Sequence, residues 1–240
     1  MNNIPVFILS YTGINELDKW LPVPPSNNIM YYIIDNGRQD IPERLKPYII
    51  HTTKENIFCA GGWNLACSIG FKSLEYDKII ITQDDLKFDH TSCIDALAAV
   101  GPDTIVGGRS DFFFYSFFAL HRDTYNKLGP FDENYLFVTC EDNDYAYRAY
   151  INNIKHISIN RYLPNMNLTS KELSWKYGNH EYLISKWGPE KTWGIYTYKS
   201  PFDGKPYPKF RPEYWNYFKE KNHDNFMSEN EYKEFLLKNK

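Results

Sequence analysis

Gln83-Asp84-Asp85 directly follows Ile79-Ile80-Ile81-Thr82, so a run of β-branched residues ends on two adjacent carboxylates. A run of this kind reads as a strand covered on both faces, and open α/β sheets bind ligands at the carboxyl ends of their strands. Neighbouring carboxylates repel one another unless a cation sits there, and hard divalent cations take carboxylate oxygens together with substrate phosphates. The pair therefore reads either as a metal-diphosphate site or as an acidic turn after a strand. A second acidic group, Glu141-Asp142-Asn143-Asp144, follows Gly129-Pro130-Phe131-Asp132-Glu133 and precedes Tyr145 to Tyr150 with Arg148, a stretch that reads as a helix. Acids at a helix start can cap its unpaired N–H groups and meet its positive end. Capping accounts for one such acid better than for three.

These residues need elements to position them. Strand-like segments fall at about 5–9, 30–34, 48–51, 78–82, 104–107 and 112–120, and helix-like ones at about 61–74, 91–99, 122–128 and 142–152. Alternation at this spacing predicts an α/β domain with a mainly parallel sheet. The segment from Phe112 to Leu120, after the break at Gly107-Gly108, is expected to pair antiparallel. Beyond Asn160 the pattern loosens into Pro, Tyr, Trp and Lys, with a helix expected at 179–187 and two terminal helices, one carrying a Ser228/Glu231 capping box. The expectation is a core over 1–160 and a helical or irregular C-terminal extension over 161–240, packed on that core within the same domain.

Composition bounds the function. A chain of 240 residues is one large domain or one domain with an appendage. A formal net charge of −3 argues against a nucleic-acid binder, because such affinity rests on Lys and Arg neutralising phosphates. The 20 Tyr, 16 Phe and 6 Trp exceed what a core needs and suit stacking on sugar rings as well as packing. Cys59, Cys67, Cys93 and Cys140 show neither metal nor framework spacing, so a cytoplasmic, reducing setting is expected. Nothing reads as a signal peptide or approaches the roughly 20 apolar residues of an integral membrane segment.

Five short motifs, in order, resemble the nucleotide-sugar-dependent glycosyltransferases of the GT-A (Rossmann-like) fold, in particular their large inverting group. Val6-Phe7-Ile8-Leu9-Ser10-Tyr11-Thr12 is similar to the family's first strand and its Ser/Thr-Tyr turn, and Tyr32-Ile33-Ile34-Asp35-Asn36-Gly37 to its second strand. Gly61-Gly62-Trp63-Asn64 is similar to the family's helix start with Gly ahead of Asn, Gln83-Asp84-Asp85 resembles the Asp-rich triplet, and Gly129 to Glu133 with Glu141-Asp142-x-Asp144-x-x-x-Arg148 the Glu-Asp elements. The chain departs from the pattern at Gln83, where the family usually has Asp, and at Trp63, where Arg is frequent.

The resemblance implies a donor site built from Ser10, Tyr11, Asp35, Asn64, Gln83 and Asp84, with Tyr11 stacking on a base and Asp35 accepting from it. Uracil, with its N3–H donor, fits an Asp acceptor. Asp85 stands at the metal-ligand position for Mn²⁺ or Mg²⁺, and His180 is a candidate to complete the shell. Asp142 is the candidate base, with Glu141 and Asp144 as competitors. Transfer requires that the acceptor hydroxyl lose its proton as it attacks, and one base opposite the diphosphate implies inversion. The expected partners are a UDP-sugar and a glycan or glycoprotein acceptor. Two other classes compete: a metal-dependent phosphohydrolase using the same acids, and a non-catalytic glycan-binding protein on the same fold.

Overall fold

The computed structural model describes residues 3–25, 28–108, 114–136 and 140–159, together with Asn179 and Leu183. The expected helix at 179–187, the terminal helices and His180 lie outside the described residues, Asn179 and Leu183 excepted. The described chain forms two compact units. One takes in residues up to Asn56, Gly62–Lys127 and residues 153–159; the other takes in Ile57–Gly61, Leu128–Asn152, Asn179 and Leu183. Residues 128–152, read from sequence as part of the first domain, thus group with the second unit.

The first unit is an α/β, Rossmann-like arrangement around a seven-stranded sheet. Its strands are β1 (Ile4–Ser10), β2 (Ile29–Asp35), β3 (Ile49–Thr52), β4 (Lys78–Gln83), β5 (Thr104–Gly107), β6 (Phe117–His121) and β7 (Lys155–Ser158), in the order β3-β2-β1-β4-β6-β5-β7. Only β6 runs against its neighbours, pairing antiparallel with β4 and β5. The expected antiparallel strand is therefore present, but it begins at Phe117, after a 3₁₀ turn over Phe114–Ser116.

The central strands are buried at nearly every position, with successive side chains turned to opposite faces of the sheet. On one face Val6, Ile8, Ile33, Ile80, Val106 and Ala119 join a core that also takes Ile14 and Leu17 of helix α1 (Ile14–Trp20) and Cys93 and Ala96 of helix α3 (His90–Ala99). On the other face helix α2 (Phe58–Cys67) and the π-helical turn Ser68–Ser73 approach closely. A Cβ on Gly62 would sit 2.4 Å from the Leu9 side chain, and one on Gly70 would sit 2.8 Å from Ile79. Trp63, 1% exposed, meets the Phe118 ring edge-on at 5.5 Å. Covered on both faces, the central strands can be apolar at every position, as Ile79-Ile80-Ile81 is.

Helices α4 (Arg122–Leu128) and α5 (Glu141–Ile151) fall where the sequence places them. Three differences are informative. The helix expected over 61–74 is α-helical only to Cys67 and widens into the π turn. Helix α1 carries no side-chain cap at Gly13 and spans seven residues, too short to show a periodic stripe. Strand β7 is an edge strand of four residues that no apolar run announces. By contrast α3 starts on a clear cap, since Asp89 accepts from both the backbone N–H and the hydroxyl of Ser92 at 2.7 Å. Asp89→Ala is expected to cost about 1 kcal/mol, read as a lower urea midpoint with an unchanged slope.

Candidate functional site

Strand pairing brings the candidate donor residues of the first unit to one edge. Ser10 lies beside Asp35 in the β1–β2 register, and Leu9 beside Gln83 in the β1–β4 register. The chain passes from β1 to β2 on one side and reaches β4 on the other, so the order reverses at β1. Open α/β sheets bind ligands outside the carboxyl ends of the strands at such a reversal.

Asp84, just past β4, reaches across to the β1–α1 loop. Its Oδ2 accepts the Ser10 hydroxyl at 2.7 Å, the Tyr11 backbone N–H at 3.1 Å and the Gly13 backbone N–H at 2.8 Å. The fit requires glycine at position 13, where a Cβ would lie 2.6 Å from the Asp84 carboxyl. Burial raises the Asp84 carboxyl while these donors pull it back. Asp84 is thus engaged in shaping the loop, and Tyr11, half-buried, has its backbone fixed by it.

Asp85 is different. Its Oδ1 is buried and has no hydrogen-bond partner, and burial, reinforced by the neighbouring Asp84, pushes its carboxyl up to about 6. A carboxylate oxygen withdrawn from water without a donor is costly, and a cation is one group that would satisfy it. Among the described residues no three His, Cys, Asp or Glu side chains group as a metal cage. Mg²⁺-type ions do not require one, since they sit on one or two carboxylates, substrate phosphates and waters. Asp85 fits such an ion.

Asp35 is 1% exposed, and its Oδ1 accepts the backbone N–H groups of Gly37 and Gln39, both at 3.2 Å. This is an Asx-type turn closing the strand. Gly37 is needed there because a Cβ would fall 1.8 Å from the Tyr11 carbonyl oxygen. The next residue, Asn36, donates its amide to Asn56 Oδ1 at 2.9 Å and accepts from the Thr53 hydroxyl at 3.2 Å. Asn64 and Gln83 are half-buried, on α2 and at the end of β4. Trp63 is a core residue packed edge-on against Phe118 and tilted against Tyr115.

Gln39, which no sequence pattern singles out, sits among these residues. Its Nε2 donates to Ser10 Oγ at 2.8 Å and to Asp35 Oδ1 at 3.3 Å, while its Oε1 accepts the Ile14 N–H at 2.9 Å. The one hint in the sequence is its spacing of four from Asp35, which does not reveal contacts to β1.

In the second unit the three acids of α5 have separate environments. The helix begins at Cys140, which has φ 71 and makes no side-chain cap. Glu141 is 4% exposed. Asp144 is fully buried, held by Arg148 Nε at 3.0 Å and by the Tyr135 hydroxyl at 3.4 Å. Arg148 also donates to the Leu128 and Pro130 carbonyls at 2.9 and 2.8 Å and lies over the Tyr145 ring, which stacks on Phe131 at 3.8 Å. These contacts bind residues 128–136 to α5 and make Asp144 a structural partner of Arg148. Asp142 alone keeps partial exposure with its carboxyl turned back on the helix start, accepting the Asn143 N–H at 2.8 Å, and its burial nonetheless pushes it up to about 6. Asn179, next to His180, exchanges two bonds with the Leu136 backbone at 2.9 and 2.7 Å.

None of Cys59, Cys67, Cys93 and Cys140 is in a disulfide. No helix among the described residues is long and apolar enough to cross a membrane. The chain matches no protein-family model, and no curated protein matches it.

The Asp142 carboxyl has a testable pH signature. Unfolded, it titrates near the ordinary value of about 4; folded, it titrates near 6. The folded state therefore binds that proton more tightly, so this group adds stability as pH falls from above 6 towards 4 and takes it away as pH rises. Asp142→Asn is expected to be more stable than wild type at pH 7.5 and no more stable at pH 4, by urea unfolding across that range. Asp85 titrates with the same sign, so part of the pH slope remains in the variant.

Proposed function

We propose that the chain is a metal-dependent, inverting glycosyltransferase. It moves a hexose-type sugar from a nucleoside diphosphate, with UDP the favoured carrier, to a hydroxyl of a glycan or glycoprotein. The observation that carries this proposal is the buried, unpartnered Oδ1 of Asp85 at the carboxyl end of β4, beside the reversal in strand order. A divalent ion, when bound there, neutralises charge on the departing diphosphate.

The residues of the chain supply the remainder. Asp84 holds the Ser10–Gly13 loop, which presents Tyr11 to the base of the donor. Asp35 has committed its Oδ1 to its own turn, which leaves recognition of a base N–H to its Oδ2. Asp142 is the base of this scheme. It is the partly accessible acid of its cluster, and a carboxyl raised to about 6 holds a proton better than an ordinary one while still ionising at neutral pH.

UDP is expected to bind tighter with Mn²⁺ than with EDTA, and Asp85→Asn to abolish that difference, by titration calorimetry. Equal affinity in both conditions would remove the metal-diphosphate assignment. With a panel of nucleotide sugars, release of nucleoside diphosphate supports transfer, release of monophosphate supports a phosphohydrolase, and no release supports a binding protein. Asp142→Asn is expected to lower transfer about 10²–10⁴-fold with donor affinity unchanged, and the wild-type rate to rise with pH through about 6. Retention of wild-type transfer by Asp142→Asn would overturn its role as base.

A further inference from the structure

Asp35 ends β2 and Asp84 follows β4, the two strands that flank β1 on opposite sides. Two ionised carboxylates cannot hydrogen-bond to each other, since neither has a proton to give. The link between them must be made by donors, and here it runs through an amide and a hydroxyl. Gln39 Nε2 donates to Asp35 Oδ1 and to Ser10 Oγ. Ser10, having received that bond, spends its single proton on Asp84 Oδ2.

The direction of the chain is determined by its ends. Gln39 Oε1 accepts the Ile14 N–H, so a reversed amide would set its nitrogen against a donor and its oxygen against the Asp35 acceptor. Ser10 cannot donate towards Gln39 Nε2 and so donates to Asp84. Both ends of the chain thus receive a proton donor, Asp35 from the Gln39 amide and Asp84 from the Ser10 hydroxyl, which itself accepts from Gln39. The backbones on either side are in contact as well, since Gly37 leaves no room for a Cβ against the Tyr11 carbonyl.

We propose that Gln39 is a positioning residue that couples the Asp35 turn to the Asp84 turn, so that the base end and the metal-diphosphate end of the donor site are formed together. The functional half of this proposal rests on the donor-site reading above; the structural half does not. Because Asp85 directly follows Asp84, the aim of its unpartnered oxygen depends on the same chain of bonds.

Amide hydrogen exchange by NMR, with UDP titration in Mn²⁺, tests both halves on the full chain. Gln39→Ala removes all three side-chain bonds. Gln39→Glu, nearly the same shape, keeps an acceptor for the Ile14 N–H but sets a further acceptor against Asp35 and Ser10. Ile14 exchange is expected to speed up in Gln39→Ala and to hold in Gln39→Glu. The decisive amides are Tyr11 and Gly13, which bond to Asp84 and not to Gln39. Their exchange is expected to rise about ten-fold or more in both variants, while Ile8 and Ile33 in the strands stay protected and show the fold intact.

UDP affinity is expected to fall about ten-fold in both variants, the worth of a lost charge-assisted bond. Wild-type exchange at Tyr11 and Gly13 in both variants would overturn the coupling. Altered exchange with unchanged UDP affinity would overturn its functional half. Altered exchange in a chain whose wild type binds no UDP would leave the coupling standing and remove the donor-site reading.

Discussion

A single carboxylate oxygen, Asp84 Oδ2, accepts three donors from the loop that leaves β1, and the geometry of the candidate site depends on this interaction more than on any other. Bonds to an ionised acceptor are the stronger kind, and three on one oxygen offset part of the cost of withdrawing the carboxyl from water, burial remaining the larger effect. The loop Ser10–Gly13 takes its shape from them, helix α1 starts where that loop ends, and the Asp35 turn rests against its backbone. Asp84 and Asp85 thereby divide the work of an adjacent pair. One is saturated with donors and organises protein; the other keeps a buried oxygen unsatisfied.

Burial on both faces gives the sheet its rigidity. Helices α1 and α3 cover one side of the strands and α2 with its π turn the other, the latter at distances only glycine permits at positions 62 and 70. A strand so enclosed cannot shift by one residue without turning its side chains into the wrong layer. The register that places Ser10 beside Asp35 and Leu9 beside Gln83 is therefore strongly specified, and with it the position of the acids at the strand ends.

The second unit shows how three acids within four positions of one helix acquire different chemistry. Arg148, buried with Asp144, satisfies that carboxylate and ties the chain at Leu128 and Pro130 to α5. A buried pair of this kind contributes little net stability but is expensive to break, which suits a fastening that must hold one geometry. Asp142, left partly accessible with a carboxyl raised to about 6, keeps the capacity to exchange a proton near neutral pH.

The α/β class, the run of central strands and the acidic ends of β4 and α5 were legible in the residues themselves, because continuous β-branched runs are a local property of a sheet covered on both faces. Sequence order also placed β6 as the antiparallel strand, from the break at Gly107-Gly108, although its start lies five residues later than the apolar run suggests. Local patterns did not reveal α1 or β7, which are short and stabilised by neighbours rather than by capping or periodicity. Nor could they apportion the acids. Nothing in Gln83-Asp84-Asp85 tells which carboxylate meets Ser10 and Gly13 and which is left unpartnered, and nothing in Glu141-Asp142-Asn143-Asp144 tells which one Arg148 claims. Gln39 was invisible for the same reason, since its three bonds reach β1, α1 and the end of β2. Residue type determined what these side chains are able to do. The pairing of distant strands and loops decided which of them are engaged, because a hydrogen bond acts over about 3 Å and only the folded chain brings its partners within that reach.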